Sequence, residues 1–396
     1  MTVRRRWHKG FSGVVEPVAG TRLRLLQSGE EFFPALIAAI DAALSEIHLE
    51  TYIFNPDPSA EAVRDALIRA AQRQVQVRVL VDGVGSHALP VEWRKAFADS
   101  GVSLLVYRPR VMGWLANPRS LRRLHRKLAV VDARIAFIGG MNLIDDFEPV
   151  RFEAPRLDFS VEVQGPLLEP IHQNMRRLWR LVALSQLQPG EHKAAVKPAW
   201  PTDGHVRAAF VVRDNFAHRR DIERSYLAAL ARAREEIVIA NAYFLPGYRF
   251  RKLLKKAVAR GVQVKLLVQG QTDHPFFQAA ARSLYYDLLA SGVKIYEYQA
   301  SELHAKVAVV DGHWATVGSS NIDPFSLLLA REANIVIEDQ AFGRDLQQRL
   351  SRAMRQSVQL DPADWQRRAW PHRMLSWLAY GGVRWIVGWV GGGRWV

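Results

Sequence analysis

Two copies of a His-x-Lys pattern, each followed by an aspartate five positions after the lysine, are the residues of this chain best suited to chemistry. The six residues are His125, Lys127 and Asp132 in the first copy and His304, Lys306 and Asp311 in the second. Each copy continues to a glycine and then to an asparagine, Asn142 or Asn321. Side chains two apart point to the same face of a strand, so each histidine shares a face with its lysine. Two such strands brought together would surround a phosphodiester with two imidazoles, two ammonium groups and two amides.

Phosphodiester chemistry gives each of these groups a role. The negative charge of a phosphodiester repels anionic nucleophiles, whereas neutral imidazole can attack, and the pKa of imidazole lies near physiological pH. We expect one histidine to form a phosphohistidine and the other to protonate the leaving alkoxide and then deprotonate the incoming hydroxyl. The lysines and asparagines would hold the non-bridging oxygens, and the two aspartates would fix hydrogen-bond geometry around the site. Because the lysines supply positive charge, neither a metal nor another cofactor is expected.

Two further acids stand at matching places in the two parts of the chain. Asp158 and Glu332 each open an apolar strand pattern, 33 and 28 positions after the motif histidine of the same part. We expect them to accept a histidine N–H and to set its tautomer, which imidazole catalysts need. Glu332 is predicted to serve His304. The alternative is that each is an ordinary acid at the start of a strand.

The elements that must position these residues also form a repeat. In the first part, apolar periodicity predicts strands over 23–27, 46–54, 75–81 and 102–106. It also predicts a helix over 33–44 and a helix that carries Val63, Leu67 and Ala70, with Ser59 as its N-cap. In the second part it predicts helices over 218–234 and 249–259, with strands over 236–244, 262–268 and after Gly292. Strands that alternate with helices indicate βαβ units. The predicted fold class is α/β, with two similar halves that are each a mostly parallel sheet flanked by helices. The halves would pack pseudo-symmetrically with the active site at their interface.

The repeat and the composition divide the chain into five segments. They are a basic N-terminal segment (1–20), a first half (21–187), a Pro- and Gly-rich linker (188–205), a second half (206–355) and a Trp- and Arg-rich tail (356–396). From Val102 to His125 is 23 positions, whereas from Val293 to His304 is only 11. The first half therefore carries an insertion within 107–124, where arginines accompany Trp114. This loop could dock on a lipid surface, or it could be a solvated loop whose charges aid solubility.

Composition narrows the class of partner. Lys and Arg number 54 against 39 Asp and Glu, and the net charge of +15 favours an anionic partner: nucleic acid, anionic lipid or a phosphorylated substrate. Cysteine is absent, which excludes disulfides and thiolate chemistry. The basic start is not followed by an apolar stretch, so a secretory signal is not expected. No run of 18 uncharged apolar residues occurs, so a spanning helix is not expected either.

The tail contains half of the tryptophans. Six of the twelve lie in the last 32 residues, among arginines and with no acid after Asp364. Interfacial membrane segments combine Trp with Arg in this way, so we expect the tail to associate with a membrane. The alternative is a tail that packs on the second half.

The two motifs resemble the paired HKD motifs of the phospholipase D superfamily. The second, with the run Gly318-Ser-Ser-Asn-Ile-Asp-Pro-Phe-Ser, resembles bacterial cardiolipin synthases, and the likeness covers roughly residues 20–345. It is greatest to the B branch, which lacks two N-terminal transmembrane helices. The resemblance assigns activity to the two His, Lys and Asp of the motifs. Ser319 would add a hydroxyl to the phosphate site, whereas the first copy has Gly140 at that place.

This resemblance implies a phospholipase D-type fold and a phosphatidyl transfer. One phosphatidylglycerol would donate its phosphatidyl group, glycerol would leave, and a second phosphatidylglycerol would accept the group to give cardiolipin. The expected partners are this anionic phospholipid and a membrane surface, with no nucleic acid. The expected location is the cytoplasmic side of a bacterial inner membrane, as a peripheral protein. The alternatives are a lipid hydrolase, a transfer to another alcohol, a nuclease of the same superfamily and an inactive protein that binds anionic membranes.

Overall fold

The structure is a computed structural model that describes residues 15–109, 122–147, 154–188, 203–214, 217–271 and 275–367, together with 378, 381 and 382. The N-terminal segment up to residue 14, most of the predicted 107–124 insertion, most of the linker and most of the tail lie outside the described residues. The α/β fold class and the division into two similar halves are confirmed. None of the helices in the described part of the chain is both long and apolar enough to cross a bilayer.

The first half contains seven strands and four helices among its described residues. The strands are β1 (Val18–Gln27), β2 (Glu46–Thr51), β3 (Gln76–Asp82), β4 (Ser103–Tyr107), β5 (Lys127–Val131), β6 (Ile135–Gly139) and β7 (Phe159–Gln164). The helices are α1 (Ser28–Asp41), α2 (Pro58–Gln72), α3 (Val91–Ser100) and α4 (Leu168–Ser185). Helix α2 begins one residue before the predicted Ser59, because Asp57 caps it by accepting the Ala60 N–H at 2.9 Å and proline suits the first helical position.

The second half repeats this order and adds a short strand and two short helices. Its strands are β8 (Val206–Arg213), β9 (Glu236–Asn241), β10 (Gln263–Gln269), β11 (Lys294–Tyr298), β12 (Lys306–Val310), β13 (Trp314–Gly318), β14 (Glu332–Glu338) and β15 (Ser357–Gln359). Its helices are α5 (Asp221–Arg232), α6 (Tyr248–Ala259), α7 (Pro275–Ala290), α8 (Pro324–Leu328), α9 (Gln340–Arg355) and α10 (Pro362–Arg367). Strand β15 pairs with β11, and Trp365 of α10 is buried against Tyr285, so the described start of the predicted tail packs on the second half.

The described strands form one continuous sheet whose order repeats. The first half reads β1-β7-β6-β5-β2-β3-β4, and the second reads β8-β14-β13-β12-β9-β10-β11. The halves meet where β1 pairs antiparallel with β8. Equivalent places in the two halves can therefore be read directly from this order.

The prediction that each sheet is mostly parallel is wrong. Only β2-β3-β4 and β9-β10-β11 are parallel, and the other neighbouring pairs are antiparallel. Strand β5 ends at Val131 and β6 starts at Ile135, and β12 and β13 are joined by an equally short turn. Parallel neighbours need a crossover of about a dozen residues, so such short turns can only make hairpins.

The two halves share a buried core. Apolar side chains of β5 and β6, such as Val130 and Ile138, join one cluster with Val307 and Val317 of β12 and β13. Each full burial of a Val- or Ile-sized side chain stabilises the fold by about 1.5–3 kcal/mol. In each half, the other face of the strands packs on helices in a separate cluster. The shared cluster therefore fixes the two motif strands relative to each other.

Candidate active site between the two halves

Each motif histidine lies just before a motif strand, at the carboxyl end of the parallel strands. Lys127 is the first residue of β5, and Lys306 is the first residue of β12, where it pairs with Asn241 at the end of β9. Ligand sites in α/β sheets form at this edge because polar loops meet there. The structure thus brings the four predicted His and Lys side chains to one edge.

Two short backbone bridges carry the histidines across to the opposite half. The His125 N–H donates to the Arg331 carbonyl at 2.9 Å, and the His304 N–H donates to the Leu157 carbonyl at 2.9 Å. Parallel bridges pair Leu124 with Arg331 and Leu157 with Leu303. Because Arg331 and Leu157 each precede one of the predicted acids, each bridge delivers an acid to the histidine of the other half.

The resulting contacts pair the histidines and acids across the halves. His125 Nδ1 lies 3.0 Å from Glu332 Oε1, and His304 Nδ1 lies 2.6 Å from Asp158 Oδ2. The prediction that Glu332 serves His304 is therefore wrong. Spacing within one half suggested that each acid serves the histidine of its own half, whereas the bridges bring it to the histidine of the other half. A carboxylate is an acceptor only, so each Nδ1 carries the hydrogen and each Nε2 is left for the reaction.

The two lysines lie inside the site and are almost fully buried. Lys127 Nζ donates to the His125 carbonyl at 2.6 Å, and Lys306 Nζ donates to the His304 carbonyl. Burial lowers the pKa of Lys127 to about 7 and that of Lys306 to about 8, and repulsion from Lys306 adds to the lowering at Lys127. A bound anion would favour the charged ammonium forms again.

Burial also shifts the other ionisable groups of the site. It lowers the pKa of His125, against the attraction of Glu332, and it lowers the pKa of His304 well below the usual value. Burial therefore favours the neutral form of both imidazoles. Burial raises the pKa of Asp158 to about 6, although the Lys306 charge acts in the opposite direction.

Ser319 and Gly140 occupy equivalent places and face the two acids. The Ser319 hydroxyl is fully buried and donates to Glu332 Oε2 at 2.5 Å. A Cβ at Gly140 would lie 2.2 Å from Asp158 Oδ1, so the Asp158 carboxylate fills the space that a side chain would need. Ser319 therefore hydrogen-bonds the glutamate in one half, and Gly140 leaves room for the aspartate in the other.

The two predicted asparagines lie at the same edge in different environments. Asn142 Oδ1 accepts the Ile53 N–H at 3.2 Å and so holds the loop after β2. Asn321 Oδ1 is buried and lacks a hydrogen-bond partner among the described residues. In the second half the link runs the other way, because Asn241 at the end of β9 accepts the Ile322 N–H of the loop after β13 at 3.1 Å.

The two motif aspartates lie at the far end of their strands. Asp132 accepts the N–H groups of Leu44, Ser45 and Glu46 at 2.7–2.9 Å. Asp311 accepts those of Arg234, Glu235 and Glu236 at 2.8–3.0 Å. Each aspartate comes five positions after its lysine along the strand, which is about 17 Å. The expectation that they shape the site is therefore corrected: they clamp the hairpin to the start of the neighbouring strand.

Sequence reasoning missed one aromatic residue of the site. The Tyr52 ring centroid lies 4.8 Å from that of His125, and Lys127 Nζ lies 5.4 Å from the Tyr52 ring. Its place one residue beyond the end of a parallel strand was the available signal. The equivalent position in the second half is Ala242, so the tyrosine makes the two sides of the site unequal.

One buried cluster outside this site has donor atoms close enough for a metal. Glu46, His48 and His172 offer atoms within 4.8 Å of one another. The Arg78 guanidinium, however, lies 3.1 Å from both Glu46 Oε2 and His48 Nε2. A cation already occupies the approach, so this cluster is a buried ion-pair network that does not fit a metal.

Comparison with known proteins agrees with this arrangement. A family model described as "Cardiolipin synthase, PLD-like domain" matches residues 36–154 and 226–354. Cardiolipin synthase B of Escherichia coli (strain K12) is 41% identical over 387 residues, which cover 94% of this chain and 90% of that protein. Cardiolipin synthase A of Pseudomonas putida (strain GB-1) is 30% identical over 348 residues, which cover 88% of this chain and 71% of that protein.

Solved structures show the same fold at low identity. The crystal structure of phosphatidylserine synthase from Haemophilus influenzae Rd KW20 matches with a TM-score of 0.71 and 14% identity, covering 94% of this chain and 96% of that one. Polyphosphate kinase from Porphyromonas gingivalis matches with a TM-score of 0.56 and 15% identity, covering 86% of this chain and 49% of that one. The family model and the curated relatives confirm the resemblance to the phospholipase D superfamily, and the solved structures agree with the predicted fold.

Proposed function

The chain belongs to the cardiolipin synthase family of phospholipase D-like proteins, and we propose that it joins two phosphatidylglycerol molecules to give cardiolipin and glycerol. It is a phosphatidyltransferase in this proposal. The observation that carries it is the pair of His–carboxylate contacts that cross between the halves and leave two Nε2 atoms facing one site. The names of the relatives at 41% and 30% identity supply the lipid identity.

In the first step, Nε2 of one histidine attacks the phosphorus of phosphatidylglycerol, and the bond from phosphorus to the glycerol oxygen breaks. We assign the attack to His125 on the superfamily resemblance. Binding of the anionic phosphodiester draws a proton from solvent onto His304 Nε2, and His304 gives this proton to the glycerol alkoxide, so glycerol leaves neutral. Asp158, at 2.6 Å from His304 Nδ1, stabilises the protonated imidazole before this transfer.

In the second step, a hydroxyl of another phosphatidylglycerol attacks the phosphohistidine. His304 takes the hydroxyl proton, the new phosphorus–oxygen bond forms, and the bond from phosphorus to His125 Nε2 breaks. The enzyme returns to its starting protonation state. Glu332 keeps the His125 hydrogen on Nδ1 throughout, so the same nitrogen faces phosphorus in both steps.

The lysines carry the electrostatic part of the proposal. Both ammonium groups are buried, and each donates to the carbonyl of the histidine in its own motif. The phosphodiester charge draws both lysines into the charged form, and they then bind the non-bridging oxygens as negative charge develops. The two asparagine side chains extend the same binding surface. Asp132 and Asp311 support the hairpins alone.

The proposal places the enzyme on the cytoplasmic face of a bacterial inner membrane as a peripheral protein. Support comes from the bacterial sources of the relatives and from a substrate that is itself a membrane lipid. Phosphatidylglycerol in the bilayer is then both donor and acceptor. A basic chain with a net charge of +15 is attracted to such an anionic surface.

The test is incubation of purified protein with vesicles of labelled phosphatidylglycerol and, separately, with single-stranded DNA. We expect cardiolipin and glycerol in equal amounts, and intact DNA. Phosphatidic acid as the main lipid product would make the enzyme a hydrolase, and cut DNA with untouched lipid would overturn the proposal. His125→Ala and His304→Ala should both lose turnover, whereas His313→Ala, at the exposed far end of the same hairpin, should keep it.

A further inference from the structure

The last turns of α4 carry an exposed apolar stripe among arginines. Leu181, Leu184 and Leu187 are 52%, 72% and 92% exposed, and their spacing of three places them along one side of the helix end. Arg177 and Arg180 are exposed on the same stretch. No Asp or Glu occurs between Pro170 and Gln188, so the stretch is purely cationic. We call residues 176–187 the α4 stripe.

The C-terminal end of the α4 stripe lies at the same edge of the sheet as the catalytic residues, whereas Arg176 at its start lies 3.7 Å from Glu46, the first residue of β2. Gln186 Nε2 donates to the Val106 carbonyl at 2.7 Å, near the carboxyl end of β4. The next residue, Tyr107, accepts a hydrogen bond from Arg331 Nε at 3.2 Å, and the Arg331 carbonyl in turn accepts the His125 N–H. The buried side of this part of α4 packs on Leu124, the residue that precedes His125. The cluster they share consists of Leu80, Leu105, Tyr107, Leu124, Leu178, Val182 and Ala183.

A cationic cavity opens beside the α4 stripe. Its lining includes Arg180 and Trp179, with Leu184 at its side, together with Arg78 and Arg176, which are ion-paired with Glu46. Guanidinium groups bind phosphate bidentately, and tryptophan sits at the boundary of lipid and water. The cavity therefore offers phosphate contacts directly next to the exposed leucines.

The charge pattern selects one occupant. A second copy of this chain carries +15 and would be repelled by the exposed Arg177 and Arg180, and an acidic protein would not need large exposed leucines beside them. An anionic bilayer provides a partner for each kind of side chain: phosphate groups for the arginines and acyl chains for the leucines. We propose that the α4 stripe docks on the surface of an anionic phospholipid bilayer and so holds the mouth of the active site against it. This inference rests on the proposed function, since it takes the bilayer to be the source of the substrate.

The absence of cysteine from the sequence allows a direct test of docking. Leu184→Cys supplies a single thiol for a fluorophore that reports the polarity of its surroundings. Leu44→Cys is the matched control, because Leu44 is 77% exposed and its backbone contacts Asp132 at the opposite end of the strands. We expect vesicles of phosphatidylglycerol to shift the emission to shorter wavelength at position 184 and leave position 44 unchanged.

Every other pattern of emission overturns the docking proposal. Equal shifts at the two positions mean non-specific adsorption, and no shift at position 184 means that another surface faces the lipid. A shift that appears without vesicles and grows with protein concentration means that a second copy covers the stripe. A shift that depends neither on vesicles nor on protein concentration means that another part of the same chain covers the stripe.

Turnover separates this inference from the proposed function. The triple variant Leu181→Ser, Leu184→Ser, Leu187→Ser should lose about tenfold in rate on phosphatidylglycerol vesicles, because it removes the apolar part of docking. Its rate on dispersed short-chain phosphatidylglycerol should stay near that of the unaltered protein, as should both rates of Leu44→Ser. An unchanged vesicle rate in the triple variant overturns docking but leaves the proposed function intact. If the unaltered protein converts neither substrate, the proposed function fails, and the fluorescence result still decides docking.

Discussion

Glu332 of the second half lies 3.0 Å from Nδ1 of His125 in the first half. The same relation holds in reverse between His304 and Asp158. Neither half therefore holds a complete histidine–acid pair, although each carries a complete copy of the sequence motif. The shared core and the two backbone bridges make one site out of two repeats.

The first prediction concerns the carboxylates. Glu332→Gln and Asp158→Asn replace an acceptor-only group with one that can also donate, so the paired imidazole can adopt the other tautomer. We expect each to lower kcat by about 10²–10⁴. Glu338→Gln, at the other end of β14, is the matched control and should leave kcat within twofold. If the kcat of Glu332→Gln is close to that of the unaltered enzyme, Glu332 does not set the tautomer of His125.

The second prediction uses the difference between Gly140 and Ser319. Gly140→Ser should displace the Asp158 carboxylate, because a Cβ there would lie 2.2 Å from Asp158 Oδ1, and turnover should be nearly lost. Adding Asp158→Glu copies the arrangement of the second half, in which serine donates to glutamate. We expect the double variant to be more active than Gly140→Ser alone. If the double variant is no better than either single variant, the proposed equivalence of the two sides is wrong.

The third prediction is a trade of activity for stability at Lys127. Its folded-state pKa of about 7 is below the usual 10.5, so the folded protein resists charging this group. The free energy of unfolding is therefore reduced in full below pH 7, and the reduction disappears as the pH rises towards 10.5. Lys127→Met should be inactive yet unfold at a higher temperature at pH 7, with an advantage that shrinks between pH 7 and 10.5. Thermal unfolding at several pH values checks this, with the exposed Lys252→Met as a control that should show no such trend.

The fourth prediction separates the motif aspartates from catalysis. Asp311→Ala removes the acceptor of three backbone N–H groups and should cost about 2–4 kcal/mol of stability. The folded fraction should keep most of its kcat, in contrast to Lys306→Ala. Urea unfolding and rates corrected for the folded fraction measure the two effects. A folded Asp311→Ala protein without activity would return Asp311 to the catalytic group.

The sequence was sufficient for the repeat, the two motif strands and the identity of most site residues, because period, spacing and residue type are local properties. It did not show that Glu332 serves His125, since that pairing depends on bridges between residues about 200 positions apart. The role of Ser319 was also missed, because its distance to Glu332 follows from the β13–β14 register. The antiparallel hairpins were readable in principle from the short Asp132 and Asp311 turns, but the alternation of strands and helices elsewhere dominated the prediction.

Trapping of the covalent intermediate tests the central claim, a single site in which histidines of both halves divide the two steps. His304→Ala and His125→Ala are each mixed with phosphatidylglycerol, quenched rapidly and digested, and the peptides are weighed by mass spectrometry. We expect a phosphatidyl adduct on the His125 peptide in His304→Ala, no adduct in His125→Ala, and no steady-state turnover in either. Substantial turnover in either variant would contradict the account. So would the absence of an adduct from both histidine peptides when the unaltered protein is active.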